Sequence, residues 1–366
     1  MILRVTAYHR RDYDEQVISF SPFEHAKAQH TIAHDFDSTP TSGRGILEKF
    51  PAETFRLICL RLDLVSLLKL RPVNRVMRQT ITLMTEYKNL TAHGLDAILA
   101  VLRTGLGDYL TLQDLYRPLL QERCTCCGGF GGFIFLLTCT RCCIDCLNND
   151  LHLTATDIGA LMFKESHARI LRDLSPVHVP LRTLPGAYSR TKAWRDGGRL
   201  LVAGEDVWDI IDRVQGPGPS PARLALLYNP NLLFGWQKCA AAVNLPFYDP
   251  KADKGYRGFS CKGCVSDITA RNWVSPQEQN TRVYSREGFI AHFKRCGRAQ
   301  RLWLASRAGT REVTYLESPF SMNGGINTVR VPWYCRESVR RLVWMVFSWL
   351  AQRTSGHRAR RARVRI

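Results

Sequence analysis

Seven cysteines crowd into the 23 residues from Cys124 to Cys146, and no other stretch restricts the possible folds so sharply. The order is Cys124-x-Cys126-Cys127, then Cys139-x2-Cys142-Cys143-x2-Cys146. Cys124 and Cys127 with Cys143 and Cys146 give C-x2-C-x15-C-x2-C. Two such knuckles suit zinc, because each tight turn aims both sulfurs inward and a tetrahedral ion needs four soft donors. A second pairing is open, since Cys139 and Cys142 form a competing knuckle at C-x2-C-x11-C-x2-C. Buried free thiols acting as small hydrophobes are the plain alternative, and so dense a run argues against it. The glycines between Gly128 and Gly132 permit a tight turn, and Phe133 to Leu137 reads as a strand. That is the layout of a zinc ribbon or a treble clef.

A second group follows: Cys261-x2-Cys264, then His292-x3-Cys296 after 27 intervening residues. Ser285 can cap a helix running through Phe289, His292, Phe293 and Cys296. His292 and Cys296, four apart, then share one helical face and can share a metal. Phe259 and Phe289 could form a small core beside it. One or two structural zinc ions are expected from the two groups together.

Residues Ile46 to Met84 read as three short amphipathic helices introduced by Phe50-Pro51. Pro51 suits a first helical turn, where its missing N–H costs nothing, and Glu53 there complements the helix dipole. Asp63 is a good N-cap for Leu64 to Leu70. Pro72 ends that helix and can open a third, with Val73, Val76, Met77, Ile81 and Met84 on one face. In the first helix, Phe55, Ile58, Cys59 and Leu62 make a stripe while Leu57 and Leu60 point elsewhere. Three helices this small cannot bury two apolar faces among themselves, so one face is expected to meet a partner. A helical subdomain packed on its own chain is the alternative.

Residues 1–44 lack periodicity and read as a flexible leader. Leu95, Ile98, Leu99 and Leu102 mark a helix ended by Gly105. Thr111 caps another, with Leu112, Leu115, Tyr116 and Leu119 on one face. A helix capped at Thr156 or Asp157 is expected to run to about Leu174, with an extended or looped Pro176 to Gly186 after it. The run Gly216 to Pro221 is the clearest linker. It predicts domains over 87–215 and 223–352, the latter closing with a helix over Glu337–Gln352, and a disordered tail over 353–366.

The formal charge is +19, and six arginines without an acid occupy 353–366. Such charge attracts nucleic acid or other polyanions weakly and non-specifically, and the tail could also serve nuclear import. The longest apolar runs are about half the ~20 residues that span a bilayer, so no membrane association is expected. The first residues lack the apolar core of a signal peptide. Thirteen cysteines without such a signal imply reduced thiols or metal ligands in the cytoplasm, the nucleus or both.

Leu47, Phe50-Pro51, Glu53, Leu57-Ile58, Leu67-Leu68, Leu70, Val73-Asn74-Arg75 and Arg78 follow the order and spacing of an F-box. Phe50 replaces the usual leucine, and Pro72 falls where a non-proline apolar residue is common. The cysteine groups extend this likeness. The chain from about Ile46 to Trp303 resembles F-box proteins of filamentous fungi, in which cysteine-rich modules follow the F-box. In that pattern the cysteine corresponding to Cys143 is the usual third ligand. The resemblance implies docking on a Skp-family adaptor, and through it a cullin–RING ubiquitin ligase, by Phe50, Pro51, Leu57, Ile58, Leu67, Leu68 and Leu70. The protein target is unspecified. The expected class is therefore α+β and multidomain. It comprises an F-box over 45–86, a mostly helical body with the first zinc module, and a C-terminal zinc module of three cysteines and one histidine.

No H-E-x-x-H, nucleophile elbow or P-loop is present, and the glycine string sits inside a cysteine knuckle and not between a strand and a helix, so it is a poor phosphate cradle. A RING needs eight interleaved ligands, and these two groups are far apart. No catalytic residue is expected. The rival to a substrate receptor is a zinc-dependent nucleic-acid-binding protein, although basic residues look spread along the chain.

Overall fold

The computed structural model describes residues 1–34, 43, 45–150, 152–159, 179–188, 194–215, 236–265, 282–313 and 316–325. The linker at 216–222, the helix expected at 337–352 and the arginine tail lie outside them.

The leader expectation fails for residues 1–34. Helix α1 (Ile2–Thr6) runs into strand β1 (Ala7–Tyr8), and α2 (Arg11–Asp14) follows. Ser21 then caps α3 (Pro22–Ala28) in a capping box with Glu24. The Ser21 N–H holds the Glu24 carboxyl down to about 2, with help from Arg103 and the Ser21 hydroxyl. Tyr13, Val17 and Ile18 are buried, and the Ile18 N–H donates to the Ala242 carbonyl at 2.9 Å. Periodicity missed this segment because its partners are remote in the chain, from Arg71 and Tyr87 to Ala242 and Cys261.

The three helices after Phe50-Pro51 are α4 (Ala52–Arg61), α5 (Leu64–Leu70) and α6 (Arg75–Leu83). Pro51 stands at the N-cap of α4. Asp63 caps α5 as expected, accepting from the Ser66 N–H at 2.7 Å. The third helix is opened by Asn74, which accepts from the Met77 N–H at 2.8 Å, and not by Pro72. Met77, Ile81 and Met84 are buried while Val73 is exposed.

Helices α7 (Thr85–His93), α8 (Leu95–Arg103) and α9 (Leu112–Leu119) complete the helical layer. Gly105 follows α8 at φ +84, the left-handed conformation that ends helices at glycine. Thr111 caps α9 in a box with Asp114, and Leu112, Leu115 and Leu119 are fully buried.

Next come β2 (Phe133–Phe135), β3 (Thr140–Cys142) and α10 (Ile144–Asn149). Strand β4 (Ala155–Asp157) takes up Thr156, one of the two expected cap positions. Asp157, the other, ends that strand and accepts from the Gly159 N–H at 2.9 Å, while Arg199 pairs with it at 2.7 Å. Ile158 and Gly159 are helical. The rest of the helix expected there, 160–174, lies outside the described residues. Short strands β5 (Leu181–Arg182), β6 (Gly186–Ala187), β7 (Trp194–Arg195) and β8 (Leu200–Ala203) precede α11 (Gly204–Gln215). One sheet has the order β4-β8-β5, and β6 pairs with β7.

Beyond residue 235 come α12 (Trp236–Ala240), β9 (Ala242–Asn244), the hairpin β10 (Phe247–Asp249) and β11 (Lys254–Tyr256), β12 (Ser260–Cys261) and α13 (Lys262–Val265). Helices α14 (Arg286–Phe293), α15 (Gly297–Ala305) and α16 (Pro319–Met322) end the described chain. Strand β9 joins the first cysteine module as a third strand, in the order β3-β2-β9, and β12 pairs antiparallel with β1. Met1–Gly325 therefore forms one compact unit, and the separate domain expected from residue 223 is not observed. The class is mixed α and β, as expected.

Candidate metal centres

The first centre is assembled by a knuckle, a hairpin and a helix, in that order. Cys124 to Cys127 turn tightly, with the Gly128 N–H donating to the Cys124 carbonyl at 2.9 Å and Gly128 at φ +70. The β2–β3 hairpin brings the chain back, and Cys143 caps α10, its sulfur accepting from the Cys146 N–H at 3.4 Å. This order places the last two sulfurs at the N-cap and in the first turn of a helix.

Sulfurs of Cys124, Cys127, Cys143 and Cys146 all lie within 4.8 Å of one another. Cys127 and Cys143 are 3.7 Å apart. Metal–sulfur bonds of about 2.3 Å at tetrahedral angles require sulfurs about 3.8 Å apart. A hydrogen bond from the Cys143 thiol holds the Cys124 thiol well below the ordinary thiol range.

The competing knuckle stays apart. Cys142 is fully buried, and Cys139, at φ +51, donates to the Leu136 carbonyl. Burial, aided by Asp114, pushes the Cys139 thiol up to about 12. Neither joins the cluster.

Two buried cations brace this module. Arg141, 1% exposed, donates to the carbonyls of Pro118 at 2.7 Å and Leu245 at 3.0 Å. It thereby ties the hairpin to the end of α9 and to the turn after β9. Lys238 donates to the Asp150 carbonyl at 2.8 Å, a favourable cation at the C-terminus of α10. Neither role carried a local sequence signal, because each partner is remote in the chain.

The second centre gathers Cys261, Cys264, His292 and Cys296, whose donor atoms also lie within 4.8 Å of one another. Cys261 and Cys264 each stand 3.9 Å from Cys296, and Cys264 is 3.3 Å from Nε2 of His292. A tetrahedral ion would need S···N edges of about 3.6 Å. Cys261 sits on β12, so the pairing with β1 anchors one ligand to the N-terminal segment. Ser285 caps α14 as expected, accepting from the Gly288 N–H at 3.1 Å. The helix does not continue through Cys296. It stops at Phe293, and Cys296 becomes the N-cap of α15.

Phe289 is fully buried and meets Phe259 edge-on with centroids 6.3 Å apart, forming the expected small core. Two supports escaped the sequence reading. Tyr284 stacks on His292 and bonds its Nδ1. Gly263 leaves no room for a side chain, because a Cβ there would lie 2.5 Å from the Ala299 nitrogen. Both centres can hold a metal ion.

The seven candidate docking residues divide. Phe50, Pro51, Leu57 and Ile58 are exposed, Leu57 at 59%. Leu67 is fully buried in the core, and Leu68 and Leu70 are half-buried against it. In α4 the buried residues are Phe55, Cys59 and Leu60. Phe55 and Cys59 keep the expected stripe and Leu57 points away from it, whereas Ile58 and Leu60 exchange places, Ile58 facing out and Leu60 in. Leu67 is thus a core residue and cannot face a partner. No helix among the described residues is long and apolar enough to cross a membrane.

No protein-family model, no curated protein and no solved structure matches the chain.

Proposed function

We propose that this protein is a non-catalytic F-box substrate receptor that docks on a Skp-family adaptor of a cullin–RING ubiquitin ligase and presents a protein target. The observation that carries the reading is the exposed apolar row Phe50, Pro51, Leu57 and Ile58 on and before α4. It falls within the F-box-like stretch, in which Phe50 stands where the family usually has leucine. Single exposed apolar side chains are ordinary, whereas four gathered at one helix entry offer a surface that a partner would cover. In this reading both metal centres hold zinc structurally. One donor set is four sulfurs and the other is three sulfurs with one imidazole nitrogen. Both sets, each converging within 4.8 Å, suit that ion, and four protein ligands leave no open catalytic position.

The test is co-purification of the full chain with a Skp-family adaptor. Leu57→Asp with Ile58→Asp should abolish recovery of the adaptor without changing metal content. Undiminished recovery would contradict the assignment.

One observation favours a second role, weak attachment to polyanions. Arg286, Lys294, Arg295, Arg301 and Arg307 are exposed along α14, α15 and the turn after it, and they form no ion pair among the described residues. Heparin retention that falls steeply with salt would support it. Retention indifferent to salt would oppose it.

A further inference from the structure

The first cysteine module holds more soft donors than one ion can use. Cys126 lies between ligands Cys124 and Cys127 in the chain and is exposed. Its sulfur, the sulfur of Cys146 and a carboxylate oxygen of Asp150 lie within 4.8 Å of one another. Local geometry accounts for this meeting. Cys146 lies in the first turn of α10 and Asp150 is its C-cap, so the two are four apart on one helical face. The knuckle turn then brings Cys126 over that face.

We propose that Cys126, Cys146 and Asp150 form a third metal site, in which the Cys146 thiolate bridges to the ion of the first centre. The inference rests on occupancy of that first centre.

Charge favours it. A divalent ion held by four thiolates keeps a net charge of about −2. Asp150 adds another negative charge beside it. A second divalent cation at Cys126 relieves this repulsion, and the Cys126 thiol gives up its proton to solvent as the metal–sulfur bond forms. Two sulfurs and one oxygen select a soft or borderline cation such as zinc or cadmium over calcium or magnesium, which want oxygen alone. Only three protein donors converge, so the fourth position falls to water. Cys146 and Asp150 line a cavity of about 820 Å³ that also reaches His9, Asn149 and Arg257, which leaves that position open to exchange. The third ion is therefore the labile one.

The experiment loads the reduced full-length protein with cadmium and counts bound ions by native mass spectrometry. Wild type should take three, and Cys126→Ser two. Asp150→Asn, which keeps an oxygen acceptor for the His152 N–H, should weaken the third ion alone. Graded chelation should strip one ion before the others. Cadmium-113 NMR of the loaded wild type should show coupling between two ions through the shared sulfur. Saturation of wild type at two overturns the third site while leaving both four-ligand centres standing. Saturation at one or none overturns it together with them. Three ions in Cys126→Ser, or three without metal–metal coupling, also overturn it.

Discussion

Tyr284 lies flat on the imidazole of His292, with ring centroids 4.6 Å apart and its hydroxyl 3.2 Å from Nδ1. That contact leaves Nε2 to face Cys264. Partners of this kind fix the tautomer and orientation of a ligating histidine, and losing one commonly costs about 10–100-fold in metal affinity. Tyr284→Phe should keep the stack and lose the hydrogen bond. We expect metal affinity at the second centre to fall about tenfold, with the first centre unchanged, as read by competition with a chromophoric chelator. Equal affinity in wild type and variant would remove Tyr284 from this role.

Knuckle choice separates by substitution. Cys143→Ser should lose the first ion and destabilise the protein, because folding and thiolate coordination are linked. Cys139→Ser should keep full metal content, since Cys139 is held outside the cluster. The reverse ranking in metal analysis would show that Cys139 and Cys142 form the second knuckle.

The acidity of Cys139 gives a further check. Its thiol, raised by burial to about 12, stays protonated at about pH 8 in the folded protein and should resist alkylation. In denaturant it returns to the ordinary thiol range of about 8.5 and should react readily. Rapid alkylation of Cys139 in the folded state would contradict the placement.

Much of both centres was legible because their determinants are local. The x2 spacings of Cys124, Cys127, Cys143 and Cys146, and the caps at Asp63, Thr111 and Ser285, each depend on a few consecutive residues. Long-range pairings were not legible. Ala7 opposes Cys261 and Phe133 opposes Asn244, so neither the N-terminal segment nor the merging of the two halves leaves a periodic trace. The phase of α4 was ambiguous because apolar residues occupy both of its faces, and only packing decides that Leu60 is buried and Ile58 exposed.

That phase makes a stability prediction. Leu67→Ala should cost about 2–5 kcal/mol, as expected for a truncated core leucine. Leu57→Asp should leave the melting temperature within experimental error. A destabilisation by Leu57→Asp as large as that by Leu67→Ala would mean that α4 buries its other face.

Gly263 is the tightest point of the second centre. A methyl group there would press on the backbone of Arg298 and Ala299, not on a movable side chain. Gly263→Ala should destabilise the protein by about 1–3 kcal/mol, the usual range for overpacking, and loosen the second ion. A variant as stable as wild type would show that α13 and α15 pack less closely than described.

If two four-ligand centres hold one folded unit together, elemental analysis joined to a folding readout will reveal it. Purified full-length protein, dialysed against a mild chelator to clear labile ions, should retain two zinc ions per chain. Removing them with a strong chelator should abolish the cooperative thermal transition. A chain that melts cooperatively at the same temperature with no metal bound would contradict the account.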